Sequence, residues 1–350
     1  MTVSPFDHPL LSAILGDEQT ARQFSAESEL AAMVAFERAL AEAEAAEGII
    51  EQAAADAIAL ALVSFSPDLE KLRAGVARDG LVVPELVRQL REAVGDPHGA
   101  KVHFGSTSQD VIDTALVLRL KPIVARYDRQ LAELIGRFVA MNARFGANDV
   151  TGITRLQAAI PIRASDRIAA WRQPLERHRQ RLLEQSPRLL VVQFGGAAGT
   201  LEKFGDKGPA LRSAVAARLG LGDAPQWQSQ RDNLADFANW LSLVTGALGK
   251  FGQDVALMAL DGREIALAGG GGSSAMPHKR NPVITEVLVA LARFNATQLS
   301  GMHEALVHEQ ERSGASWTLE WMLLPQMAMA TAAALRLAIE LSGRIESLGS

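Results

Sequence analysis

The chain has 350 residues, 48 % hydrophobic and 21 % charged, which gives room for two or three domains with real cores and excludes wholesale disorder. Lys and Arg number 35 against 40 Asp and Glu, a formal charge of −5 without long single-sign blocks. The isoelectric point near 5.9 speaks against a nucleic-acid partner held by phosphate contacts. There is no cysteine, so disulfides, zinc fingers, iron–sulfur clusters and thiol nucleophiles are all excluded.

The opening MTVSPFDHPLL lacks a basic segment followed by an apolar run, so a cytoplasmic location is expected. The longest charge-free apolar stretch, Trp321 to Leu335, is short for a spanning helix and contains Pro325; no membrane partner is expected. One Tyr, 5 % aromatics and abundant Ala and Leu favour helix over sheet.

In chain order, residues 26–47 read as an amphipathic helix stopped at Gly48, and shorter helical segments run to Val94. GDPHGAKVHFGSTSQD then reads as a polar, turn-rich loop. Beyond Pro122, the residues Val124, Tyr127, Leu131, Leu134, Phe138, Met141 and Phe145 recur at alternating spacings of three and four. The beat returns at Leu234, Phe237, Leu241, Val244, Leu248, Phe251, Val255 and Met258. A 3.5-residue period keeps one seam toward a partner helix, which predicts a long left-handed bundle, the second segment being roughly 45 Å long. Gly246, Gly249 and Gly252 fall near one face, as close helix approach or chance would place them. Further helices are expected at 163–186, 284–303 and 318–346, with no alternating strands between turn signals. Such helices need a continuous core, shared between subunits or closed within one monomeric bundle.

Three polar islands interrupt the helices. The first, His103 to Asp110, places hydroxyls before a helix, suited to a carboxylate or to simple N-capping. The second, Thr151 to Pro161, offers Arg155 as a bidentate anion contact, or as a solvated loop arginine, with Thr154 and Gln157 as neutral partners. The third, Leu267 to Pro282, has four glycines, two serines and then His278, Lys279, Arg280 and Asn281, without the spacing of a phosphate-binding P-loop. The seven His residues show no metal-binding spacing; His303 and His308 are five apart, and the Glu-rich run beside His308 reads as a solvated helix face.

The third island, GSSAMPHKRNP, resembles the serine-loop motif of the fumarase/aspartase superfamily at every fixed position. HFGSTSQDVIDTA resembles its first signature region and TRLQAAIP, more loosely, its second. Within the superfamily the chain is most similar to the bacterial 3-carboxy-cis,cis-muconate cycloisomerases, on Phe104 to Asp110, Trp227 to Asp232 and His308 to Trp321. An adenylosuccinate-lyase-type enzyme is the alternative; against it, Ile153-Thr154-Arg155 replaces the expected Arg-Thr-His, and Ala77 to Gly80 lacks a histidine. A crystallin-like structural protein is the remote one. The resemblance implies an all-α fold with an N-terminal helical domain (1–103) and a central long-helix bundle (104–350). The usual C-terminal domain is expected to be absent or truncated. It also implies a homotetramer whose active sites draw on several subunits, a small anionic substrate and no cofactor or metal. It assigns proton transfer to Ser273, with Ser274 and His278 beside it. Substrate binding falls to His103, Thr107, Ser108, Gln109, Arg155, Gln157, Met276, Lys279 and Asn281.

Overall fold

A computed structural model describes residues 4–272, 275, 276, 278 and 280–350. Twelve helices form among them. Six build the N-terminal part: α1 (Ser12–Leu15), α2 (Glu18–Gln23), α3 (Ala26–Ala46), α4 (Gln52–Val63), α5 (Leu69–Asp79) and α6 (Val83–Val94). The others are α7 (Ser108–Phe145), α8 (Ala164–Leu189), α9 (Gly208–Leu219), α10 (Asp232–Asp261), α11 (Val283–Glu304) and α12 (Gly314–Gly343). The fold is all-α, as expected. Helix α3 ends beside Gly48, which takes the left-handed conformation (φ +63°) that a residue with a Cβ disfavours.

Helices α7, α8, α10, α11 and α12 form the bundle. Every residue of both seams is buried, because a 3.5-residue beat holds those side chains on one line against neighbouring helices. Phe138, Trp171 and Phe251 lock α7, α8 and α10 together, with ring centroids 5.0–6.1 Å apart. The Tyr127 hydroxyl donates to the Ala328 carbonyl (2.6 Å), and Asn295 donates to Thr331 (3.0 Å), tying α12 to α7 and α11. Helix α12 is long and apolar enough to cross a membrane, and it runs through Pro325 further than the charge-free stretch suggested. Its apolar window is 72 % buried among the other helices, so it is a core helix. A second core joins α3, α4 and α6 to the start of α7 and to Val192, Phe194, Phe204, Leu211 and Val215.

Two short antiparallel strand pairs, the first of them a hairpin, depart from the purely helical expectation. Strands β1 (Asp149–Thr154) and β2 (Gln157–Arg163) carry the second island; β3 (Ile265–Leu267) pairs with β4 (Ile345–Leu348). The first hairpin turns at Arg155 and Leu156, both at positive φ (+48° and +65°), without the Gly or Asn that ordinarily signals such a turn.

Two of the three bundle glycines mark close approach. A Cβ on Gly249 would lie 2.6 Å from Ala292 Cβ, and one on Gly252 would lie 2.9 Å from Leu288 Cβ, so α10 and α11 touch there; Gly246 has open space. Gly249→Ala should therefore destabilise the protein by about 1–3 kcal/mol through overpacking. Gly246→Ala should stabilise it by roughly 0.5–1 kcal/mol, since alanine is the better helix former. Urea unfolding of both variants checks the pair; equal shifts would contradict this packing.

Candidate active site

The first island is held from below by Asp110, which is fully buried. Its carboxylate accepts from the backbone N–H groups of Thr107 (3.0 Å), Gly195 (2.8 Å) and Gly196 (3.0 Å) and from Gln193 Nε2 (3.1 Å). Burial raises its pKa to about 6, against the pull of those donors. Gly105 (φ +65°) lets the chain pass Phe204, whose ring atom would stand 2.3 Å from an added Cβ.

Behind the island, Arg231 is buried at the start of α10. It donates to Asp113 Oδ2 (2.6 Å) on α7 and to Glu320 Oε1 (2.8 Å) and Oε2 (2.5 Å) on α12, and its guanidinium lies 4.7 Å from the Trp227 ring. Trp317 Nε1 also donates to Asp113 (3.0 Å). Desolvation pulls the Arg231 pKa down, but the two carboxylates outweigh it and the net direction is up. For Glu320, burial pushes up, while His308 and Arg231 together hold the carboxyl below its ordinary value.

Glu309, Gln310 and Glu311 are exposed, as expected, though in the loop between α11 and α12 rather than on a helix face. His308 beside them has an inaccessible side chain, 3.6 Å from Glu320. The same segment brings Arg312 over the first island, donating to Gln109 Oε1 (2.9 Å), Thr107 Oγ1 (3.3 Å) and the Ala197 carbonyl (3.3 Å).

His103, Thr107 and Ser108 are half-buried at the island's surface. Gln109 is fully buried, and its amide is spent on Asp113 (3.1 Å), the Gln228 carbonyl (2.8 Å) and Arg312. It braces the island rather than presenting its side chain, because the first turn of α7 points that position inward. Arg155 and Gln157 stand exposed at the tip of the β1–β2 hairpin. The hairpin base is anchored where Thr151 Oγ1 and N–H both donate to Glu264 (2.6 and 2.7 Å), just before β3.

At the third island, Gly271 and Asn281 exchange backbone hydrogen bonds (2.8 Å each), closing the neck of the loop at the start of α11. Met276 and His278 are exposed within it, and Asn281 is half-buried at the neck. Ser273, Ser274 and Lys279 lie outside the described residues. A cavity of about 590 Å³ opens beside the loop, lined by Leu257, Ile265, Arg280, Glu286 and Arg344 among others. The second and third islands therefore share one end of the bundle, where α7 and α10 finish. The first island sits where those helices begin, about 45–57 Å away at 1.5 Å per residue over 30 and 38 residues. One chain brings the second and third islands to a common end and leaves the first at the other.

This arrangement has known counterparts. Residues 11–295 match the family model described as Lyase. A 3-carboxy-cis,cis-muconate cycloisomerase of Pseudomonas aeruginosa is 41 % identical over 331 residues, 92 % of this chain and 72 % of the relative. The crystal structure of 3-carboxy-cis,cis-muconate lactonizing enzyme from Pseudomonas putida superposes with a TM-score of 0.91 at 37 % identity, covering 97 % of this chain and 78 % of that one. The fumarate lyase from Mesorhizobium sp. BNC1 superposes with a TM-score of 0.88 at 33 % identity, over 95 % and 76 %. The chain belongs to the lyase family of the fumarase/aspartase superfamily.

Removing Arg231 leaves Asp113 and Glu320 as buried carboxylates without their cation. Arg231→Met should cost about 3–5 kcal/mol in urea unfolding, with part recovered on adding Asp113→Asn and Glu320→Gln. A loss below about 1 kcal/mol, as for an exposed pair, would contradict the assignment.

Proposed function

We propose that this protein is a cycloisomerase converting 3-carboxy-cis,cis-muconate to 4-carboxymuconolactone. The reading is carried by its 41 % identity, over 92 % of the chain, to an enzyme of that name. In this reaction one carboxylate oxygen of the substrate adds to a carbon of the conjugated diene, forming the lactone C–O bond. The displaced π pair moves to the neighbouring carbon, is spread into the carboxylate beside it, and is quenched by a proton. The chemistry needs donors for a polyanion, stabilisation of developing oxyanion charge and a positioned proton carrier. Thr107, Ser108, Lys279 and Asn281 serve as donors. Ser273 delivers the proton and recovers one from solvent, with Ser274 and His278 adjacent. Arg155 clamps the third anionic group, since a guanidinium stays protonated and makes a poor proton shuttle. We propose further that the working unit is a cytoplasmic homotetramer, because the first island lies a helix length from the other two.

The rival is a fumarate-releasing lyase, favoured by the likeness to the Mesorhizobium fumarate lyase. The two are separated by ultraviolet absorbance. With 3-carboxymuconate the diene signal should fall; fumarate release from adenylosuccinate or argininosuccinate with no diene loss would favour the lyase. Ser273→Ala should lower kcat about 10²–10⁴-fold with KM little changed. Near-full kcat in that variant would move the proton-carrying role to Ser274 or His278. Arg155→Leu should raise KM far more for the carboxylated substrate than for unsubstituted muconate, and equal effects would refute the clamp.

A further inference from the structure

Helix α3 carries two glutamates that the mechanism above does not use. Glu37 and Glu44, two turns apart on one face, have only 2 % and 0 % of their surface exposed. Glu37 Oε1 lies 2.6 Å from His103 Nδ1, while Glu37 Oε2 and both oxygens of Glu44 have no hydrogen-bond partner. His103 is the first residue of the first island. Its backbone sits at φ +63°, its side chain is 14 % exposed, and no described residue hydrogen-bonds its Nε2. We propose that Glu37 is a positioning residue that holds the His103 ring by Nδ1–H and keeps it an imidazolium, leaving Nε2–H as a cationic donor for a substrate carboxylate. This rests on the reading that the first island binds such a carboxylate.

Of the two glutamates, only Glu37 touches the His103 ring. Burial drives the Glu44 carboxyl up to about 9, reinforced by Glu37 and opposed by Lys101, so Glu44 is neutral at pH 7. Burial pulls the His103 pKa down, but Glu37, with a contribution from Asp110 on α7 and against Arg91 on α6, carries the net direction upward. A histidine without such a partner would lose its charge near pH 6.5, within the working range of most enzymes. The left-handed backbone at His103 is a conformation that non-glycine residues adopt at a cost, and such strain gathers at functional positions.

Histidine-selective NMR gives the first test, with His103→Gln assigning the resonance. In the native chain the ring should titrate above 6.5, and in Glu37→Gln clearly lower, because desolvation then acts without its main opponent. Glu44→Gln should leave that titration in place. With 3-carboxymuconate, the rise of KM with pH should set in at lower pH in Glu37→Gln than in the native chain, with kcat less affected, and Glu37→Asp should restore most of the loss. Should Glu37→Gln fail to fold, His103→Gln serves instead: its KM should be raised at pH 6 and independent of pH. Unchanged His103 titration, or KM profiles that run parallel in native and variant, would overturn the proposal. The NMR titration needs no substrate, so a chain that fails to lactonise 3-carboxymuconate defeats the functional reading and leaves the Glu37–His103 pair to be judged separately.

Discussion

An arginine with almost no solvent contact is tolerable only where every part of its charge is matched, and Arg231 meets that condition with Asp113 on one side and Glu320 on the other. Because the three groups come from α10, α7 and α12, the requirement fixes where those helices begin relative to one another. Trp227 covers the guanidinium and Trp317 holds Asp113, so the charges stay dry and oriented. Gln109 and Arg312 extend the same network to Thr107, at the rim of the first island. A polar loop that would otherwise wander is thereby seated on a rigid, fully paired base.

The bundle built above this base then sets what one chain can do alone. Seams of apolar residues hold α7 and α10 as long helices, and length is what carries the hydroxyls of the first island away from the serine loop. A helix of 30 or 38 residues cannot fold back without breaking the seam. The exposed hairpin tip, with Leu156 at 75 % and Ile160 at 68 % exposure, projects from the serine-loop end. Proposed contacts from separate islands can meet around one substrate only if chains lie side by side.

Much of this was legible in the residues. The seams at 124–145 and 234–258 are long, strongly periodic and all buried, and the glycines at 249 and 252 mark true helix contact. The β1–β2 hairpin was not legible, because Arg155-Leu156 carries no turn residue and the strands are too exposed to alternate cleanly. Glu309, Gln310 and Glu311 are solvated as their composition suggests, but the burial of the His308 ring against Glu320 left no signal, because that neighbour appears only in the fold. Glu37 and Glu44 left a readable trace. Leu30, Met33, Glu37, Leu40 and Glu44 follow a spacing of three and four along the buried face of α3, and a glutamate on such a stripe needs a partner. Arg231 and Glu320 lie in the Trp227–Asp232 and His308–Trp321 stretches that carry the resemblance, but nothing in the residues pairs them, since a lone arginine before a helix is ordinarily solvated.

The central claim is that the first island of one chain works with the serine loop of another, and subunit mixing tests it most directly. Ser273→Ala and the double variant Thr107→Val, Ser108→Ala would be purified separately, each nearly inactive on 3-carboxymuconate. They would then be dissociated and reassembled together. If sites are shared, mixed assemblies contain some sites with both native halves, and activity should return to a substantial fraction of the native value. Reassembly that yields mixed oligomers without any recovery would place both halves in the same chain and contradict the account.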